Sequence, residues 1–163
     1  MEKRMSTLNV SRFWPFTPAQ PAGTGAQLGR LLYGLFFLAM SLVNLTITLP
    51  NPGLYGDIAG LALLPLYREI TLRLVVPHAG LFTGLLIAGE ALAGALILGR
   101  GRAVRLGLLG TAVFELSIVP AIGWYTLLNL LVVLVPLALL RREYPQGAWA
   151  WLLARVRREG GQA

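Results

Sequence analysis

The chain has 163 residues, of which 56% are hydrophobic and only 13% charged, with a mean hydropathy of +0.67. A soluble domain of this size has too little interior to hide that much apolar surface, so the composition points to an integral membrane protein. The net charge of +7 is not a nucleic-acid signature here, because the basic residues flank apolar runs, where the positive-inside rule accounts for them. The absence of Cys excludes disulfides, thiol redox pairs and thiolate metal sites. A single His excludes a bis-histidine haem or a histidine-rich metal cluster built from this chain alone.

Residues 1–27 form a polar arm rich in Pro and Thr, with no visible cleavable signal peptide. Residues 28–140 read as one transmembrane domain with four apolar runs. The first, Leu28 to Leu49, is stopped by Pro50 and Pro52. The loop that follows is long and only partly polar. Leu63, Leu66, Tyr67, Ile70 and Leu74 recur at helical spacing, and Glu69 and Arg73 form an i, i+4 pair. This pattern predicts an amphipathic helix from about Gly60 to Val76 at the outer interface, bending into the next span at Pro77. The second run is Pro77 to Gly99, the third Ala103 to Ile122, and the fourth Trp124 to Leu140. Residues 141–163 form a basic tail whose GAWAWLLARVRRE stretch suits the inner interface as a second amphipathic helix.

Charge placement orients the bundle. Of fourteen Lys and Arg residues, only Arg68 and Arg73 lie in the first loop, and the turn between the third and fourth spans has none. With four spans both termini share a side, and the other twelve basic residues then lie in the cytoplasm. The expected fold is thus an all-α, four-helix transmembrane bundle, multi-pass in the cytoplasmic (inner) membrane, with both termini inside.

Two acids interrupt the apolar runs. Glu90 lies in LLIAGEALAGALILG, roughly 14 Å from the inner end of the second span, and Glu115 lies roughly 16 Å deep in the third. A lone carboxylate at such depth costs about 3 kcal/mol to insert. Their matched level on adjacent antiparallel helices predicts that they share the bundle interior, where two neighbouring acids hold a proton rather than both ionise. Thr111, one turn before Glu115, is positioned to hydrogen-bond it. Gly80, Gly84, Ala88, Ala91 and Gly94 read as a small-residue seam for close helix approach. One reading is a proton-handling or polar-ligand site; the other is a pair of acids gluing helices together. Polar glue in membranes returns only about 0.6 to 2 kcal/mol, which repays the insertion cost poorly.

A second, shallower set lies toward the outer face: Asn44 late in the first span, His78 opening the second and Asn129 early in the fourth, with Trp124 and Tyr125 as interfacial aromatics. These residues either bind the carbonyl oxygens of a quinone-like ligand or are satisfied by head-groups and neighbouring backbone.

The stretches LGRLLYGLFFLAMSLVN and GLLIAGEALAGALILGRGRAVRLGLLG resemble the DoxX/DoxD group of small four-helix membrane proteins. Glu90, Gly94 and Gly99 before a short basic turn match that group's acid–glycine–glycine arrangement, and the resemblance covers about Leu28 to Leu140. It implies a membrane subunit tied to redox complexes, including thiosulfate:quinone oxidoreductase for the DoxD type. Any cofactor is then a quinone, with no haem or metal held by this chain. Partners are the lipid bilayer, a redox-enzyme subunit and further copies of the chain. Without Cys, sulfur chemistry belongs to a partner or to the quinone directly. The alternatives are a small proton-coupled transporter built around Glu90 and Glu115, and a structural membrane scaffold.

Overall fold

The computed structural model describes residues 20–121, 123 and 126–160. Helix α1 runs over Thr24–Val43 and then widens into a π turn, Asn44–Thr48, in which the Leu49 amide reaches back five residues to the Asn44 carbonyl at 2.8 Å. The local sequence explains the widening. The Thr46 hydroxyl donates to the Leu42 carbonyl at 2.8 Å, back-bonding that competes with the regular ladder, and the Thr48 hydroxyl donates to Asn44 Oδ1 at 2.7 Å. Pro50 and Pro52 end the helix.

A short helix α2, Leu54–Ala59, precedes α3, Pro65–Ile70, which opens on a proline at its first turn. The helix expected from about Gly60 begins instead at Pro65, and it runs on into the next span as the expected bend at Pro77 supposes. The chain continues from α3 through a π turn, Thr71–Val75, and a tight 3₁₀ turn, Val76–His78, into α4, Ala79–Leu98. Pro77 cannot donate to the ladder, and the loose turn before it and the tight turn around it absorb the misfit without ending the helix. Leu63 falls before the helical run. The result is one apolar helical stretch of 34 residues, Pro65–Leu98, about 51 Å of path. The Glu69–Arg73 pair forms as expected, at 2.7 Å.

Helix α5, Arg102–Ile118, follows a tight turn that requires Gly101 in the left-handed region, φ 57°. Helix α6, Thr126–Leu139, carries Pro136 inside it, and α7, Ala148–Gly160, closes the chain. Among the described residues, three helical stretches are long and apolar enough to cross a membrane: Thr24–Thr48, Pro65–Leu98 and Arg102–Ala121. The expected fourth, α6, has only 14 residues, about 21 Å against a hydrocarbon core of about 30 Å.

Helix α1 packs on α4, α4 on α5, and α5 on α6, which returns to α1. The closest approach is between α1 and α4. A Cβ on Gly94 would stand 2.8 Å from the Gly34 carbonyl, and one on Gly34 would stand 2.7 Å from Leu98. The expected seam is therefore corrected: Gly94 alone of its glycines is in contact, while Gly80 and Gly84 face open space. The dense core gathers at one end of the bundle, around Phe37, Ile97, Val104, Leu108 and Tyr144.

The polar arm and basic tail meet at that end. Residues Gln20–Pro21 (β1) pair in parallel with Arg142–Glu143 (β2), and Arg155 donates to Thr24 Oγ1 at 3.0 Å. Ala148 of α7 is buried against Leu31 and Leu98. Arg30, read from the sequence as a topogenic charge, is instead fully buried. Its guanidinium donates to the carbonyls of Gly99 (3.0 Å) and Gln146 (3.2 Å) and to Gln27 Oε1 (2.7 Å), and lies 4.6 Å over the Tyr144 ring. One side chain thereby ties α1, the α4–α5 turn and the tail together. The Tyr144 hydroxyl donates to the Leu139 carbonyl at 3.0 Å. Burial pushes this phenol up to about 12, against the opposing pull of Arg30 and Arg142.

Candidate functional site

Glu90 and Glu115 are both buried, at 7% and 5% exposure, and stand close enough to interact electrostatically. The shared level follows from the short turn between α4 and α5, where Gly107 abuts Ile97 so tightly that a Cβ would stand 2.9 Å from it. That contact fixes the register, and the constant helical rise carries the two acids to the same height.

The partner of Glu90 comes from α1. Asn44 Nδ2 donates to Glu90 Oε2 at 2.8 Å, and Asn44 Oδ1 accepts from Thr48. Ser41, one turn earlier, donates to the Ile87 carbonyl at 3.0 Å. A buried chain Thr48–Asn44–Glu90 results, held at its base by the Gly34–Gly94 approach. Among the described residues, nothing bonds to Glu90 Oε1.

Glu90 lines a cavity of about 770 Å³ between α4 and α5. Phe37 contributes from α1, Tyr55 and Ile58 of α2 and Val75 of the π turn bound one end, and Leu96 and Gly107 close the other. Tyr55 is tied to α4 through Thr83, hydroxyl to hydroxyl at 3.0 Å. The walls carry small residues, Gly89, Ala93 and Gly110, whose lack of bulk creates the space. Leu85, Leu92 and Leu106 at the cavity are 60% exposed or more, so the cavity opens sideways rather than to either end.

Thr111 also lines the cavity, but its hydroxyl donates to the Leu108 carbonyl at 3.0 Å. The expected Thr111–Glu115 bond is corrected accordingly: the hydroxyl satisfies its own helix, and its oxygen remains an acceptor. The buried Tyr33 hydroxyl stands beside the Thr111 oxygen, which can accept from it, and near Glu115. Tyr33 belongs to the hydrophobic core cluster with Phe37.

The expected outer constellation does not assemble. Asn44 is engaged with Glu90, whereas His78 is exposed at the junction before α4, twelve residues and about 18 Å along the helix from Glu90. Asn129 lies on α6 with its side chain outside the described residues, as are Trp124 and Tyr125. Among the described residues, no three His, Asp or Glu side chains come together as a metal site.

No family model matches the chain, and no curated protein or solved structure is found to match it.

Proposed function

We propose that the chain is a DoxX-like inner-membrane protein whose α4–α5 groove holds the polar head of a lipid-soluble, quinone-like ligand, in support of a membrane redox complex. The observation that carries this reading is the free Oε1 of Glu90 on an apolar cavity of about 770 Å³ that opens beside exposed leucines. That volume lies within the range of about 300 to 1,000 Å³ typical of small-molecule sites. A quinone head presents carbonyl oxygens that need donors, and a protonated Glu90 carboxyl on the cavity wall supplies one. Its isoprenoid tail needs an apolar path, which the groove and its leucine rim offer. The role of the chain is then that of a quinone-binding subunit or anchor. Redox chemistry that needs thiols belongs to its partner.

In this reading α6 completes the bundle as a short fourth crossing, accommodated by local thinning of the bilayer. Both termini face the cytoplasm by the placement of twelve of the fourteen basic residues. Helix α7, with Trp149, Leu153 and Val156 exposed on one side and Arg157 and Arg158 at its end, lies along the inner interface.

Mass spectrometry of lipids extracted from the purified protein tests the proposal: one quinone per chain supports it, and phospholipid alone contradicts it. The burial of both Glu90 and Glu115 on helices packed against each other favours a second reading, a small proton-coupled transporter. An empty groove together with pH-driven flux in proteoliposomes, lost in Glu115→Gln, would establish that reading instead.

A further inference from the structure

The dense end of the bundle carries a second concavity, of about 220 Å³, lined by Arg102, Arg105, Arg142, Glu143 and Tyr144 around the turn at Gly101. We infer that it binds the phosphate of an anionic phospholipid head group. Arg102 and Arg105 stand one turn apart at the start of α5, and Arg142 approaches from the segment after α6. Among the described residues, neither Arg102 nor Arg105 has a hydrogen bond or ion pair, and Arg142 gives only a neutral bond to Gln20 Oε1 at 2.9 Å. Glu143 shares the concavity, yet neither of the ion pairs among the described residues involves it. The site therefore holds three unneutralised guanidinium groups against one carboxylate.

The two walls are fixed to each other before any ligand arrives. The Gly101 amide donates to the Tyr144 carbonyl at 2.8 Å, and Arg30 beneath the Tyr144 ring adds a further buried positive charge. Guanidinium forks match phosphate oxygens in geometry as well as charge. A free phosphate ion offers the same chemistry. Position selects the lipid: Arg102 begins a stretch long and apolar enough to cross a membrane, and Leu106 and Leu109, one to two turns further, are 62% and 48% exposed. A head group in the concavity thus places its acyl chains on apolar helix surface.

Native mass spectrometry of the full chain in mild detergent, titrated with dioleoyl phosphatidylglycerol, dioleoyl phosphatidylcholine or inorganic phosphate, tests the inference. One phosphatidylglycerol should be retained in strong preference to phosphatidylcholine. Arg142→Gln should weaken it about fivefold, and Arg102→Gln with Arg105→Gln about thirtyfold. Glu143→Gln should strengthen binding, a gain that a misfolded variant cannot mimic. Equal retention of both lipids, or an unchanged affinity in the arginine variants, would overturn the site. Arginine-dependent binding of inorganic phosphate without retention of either lipid would overturn the lipid assignment.

Discussion

Asn44 and Glu90, 46 residues apart, meet through one hydrogen bond of 2.8 Å in the buried interior between α1 and α4. The bond satisfies one carboxylate oxygen and leaves the other to the groove. Asn44→Ala removes the donor and strands Thr48 as well. It should destabilise the protein by about 1 kcal/mol, the scale of hydrogen bonds between membrane helices, seen as a lower melting temperature in detergent. Asn44→Asp, which keeps the shape but loses the donor and adds a carboxyl, should be worse than Asn44→Ala.

The glycines separate by what a methyl group would meet. Gly94→Ala forces a Cβ to within 2.8 Å of the Gly34 carbonyl, and backbone cannot yield as a side-chain tip does. Overpacking of this kind costs about 1 to 3 kcal/mol. Gly84→Ala meets open space and should be neutral or slightly stabilising, because alanine favours helix. Parallel thermal melts of the two variants check the contrast.

Arg30→Met should cost at least about 3 kcal/mol, because it leaves the Gly99 and Gln146 carbonyls and Gln27 Oε1 without their donor. Arg30→Lys should rescue little, since a single ammonium cannot span the same fork of acceptors. Limited proteolysis between residues 141 and 147 reads the loosened tail directly.

Tyr144 sets a window of alkaline sensitivity. Its phenol is pushed from 10.0 up to about 12 by burial. Above pH 10 the unfolded chain releases this proton while the folded chain keeps it, so the contribution to stability is complete below pH 10 and is lost as pH rises toward 12. Tyr144→Phe cannot ionise, so its deficit relative to wild type should shrink across that window. Melting temperatures measured from pH 9 to 12 in parallel reveal it.

The level of Glu90 against Glu115 was legible in the sequence, because only a three-residue turn, Gly99–Gly101, separates α4 from α5 and helical rise does the rest. Asn44 was legible as a polar residue in an apolar run, but its partner was not. Its register against α4 is set by the Gly34–Gly94 contact across a loop of more than thirty residues, and no local pattern encodes that contact. The glycine seam failed for a related reason. In a stretch as uniformly apolar as α4, small residues occur on every face, and periodicity cannot say which face another helix covers. The passage of α3 into α4 was legible as a bend at Pro77, but the π and 3₁₀ turns that absorb the proline carry no sequence pattern of their own. Arg30 was legible only as one basic residue among fourteen, because its burial depends on a tail more than a hundred residues away.

The central claim, that the groove beside Glu90 holds the head of a lipid-soluble ligand, is tested most directly by filling the groove. Gly110 lines it, and a Cβ there meets nothing within 4 Å, so Gly110→Leu should occupy the space without disturbing the packed core. A short-chain quinone bearing a photoreactive tail should crosslink wild-type protein within residues 82–96 and 106–118. The labelling should saturate and be lost in Gly110→Leu at unchanged thermal stability. Labelling spread evenly over the lipid-facing helices, or equal in wild type and Gly110→Leu, would contradict the account.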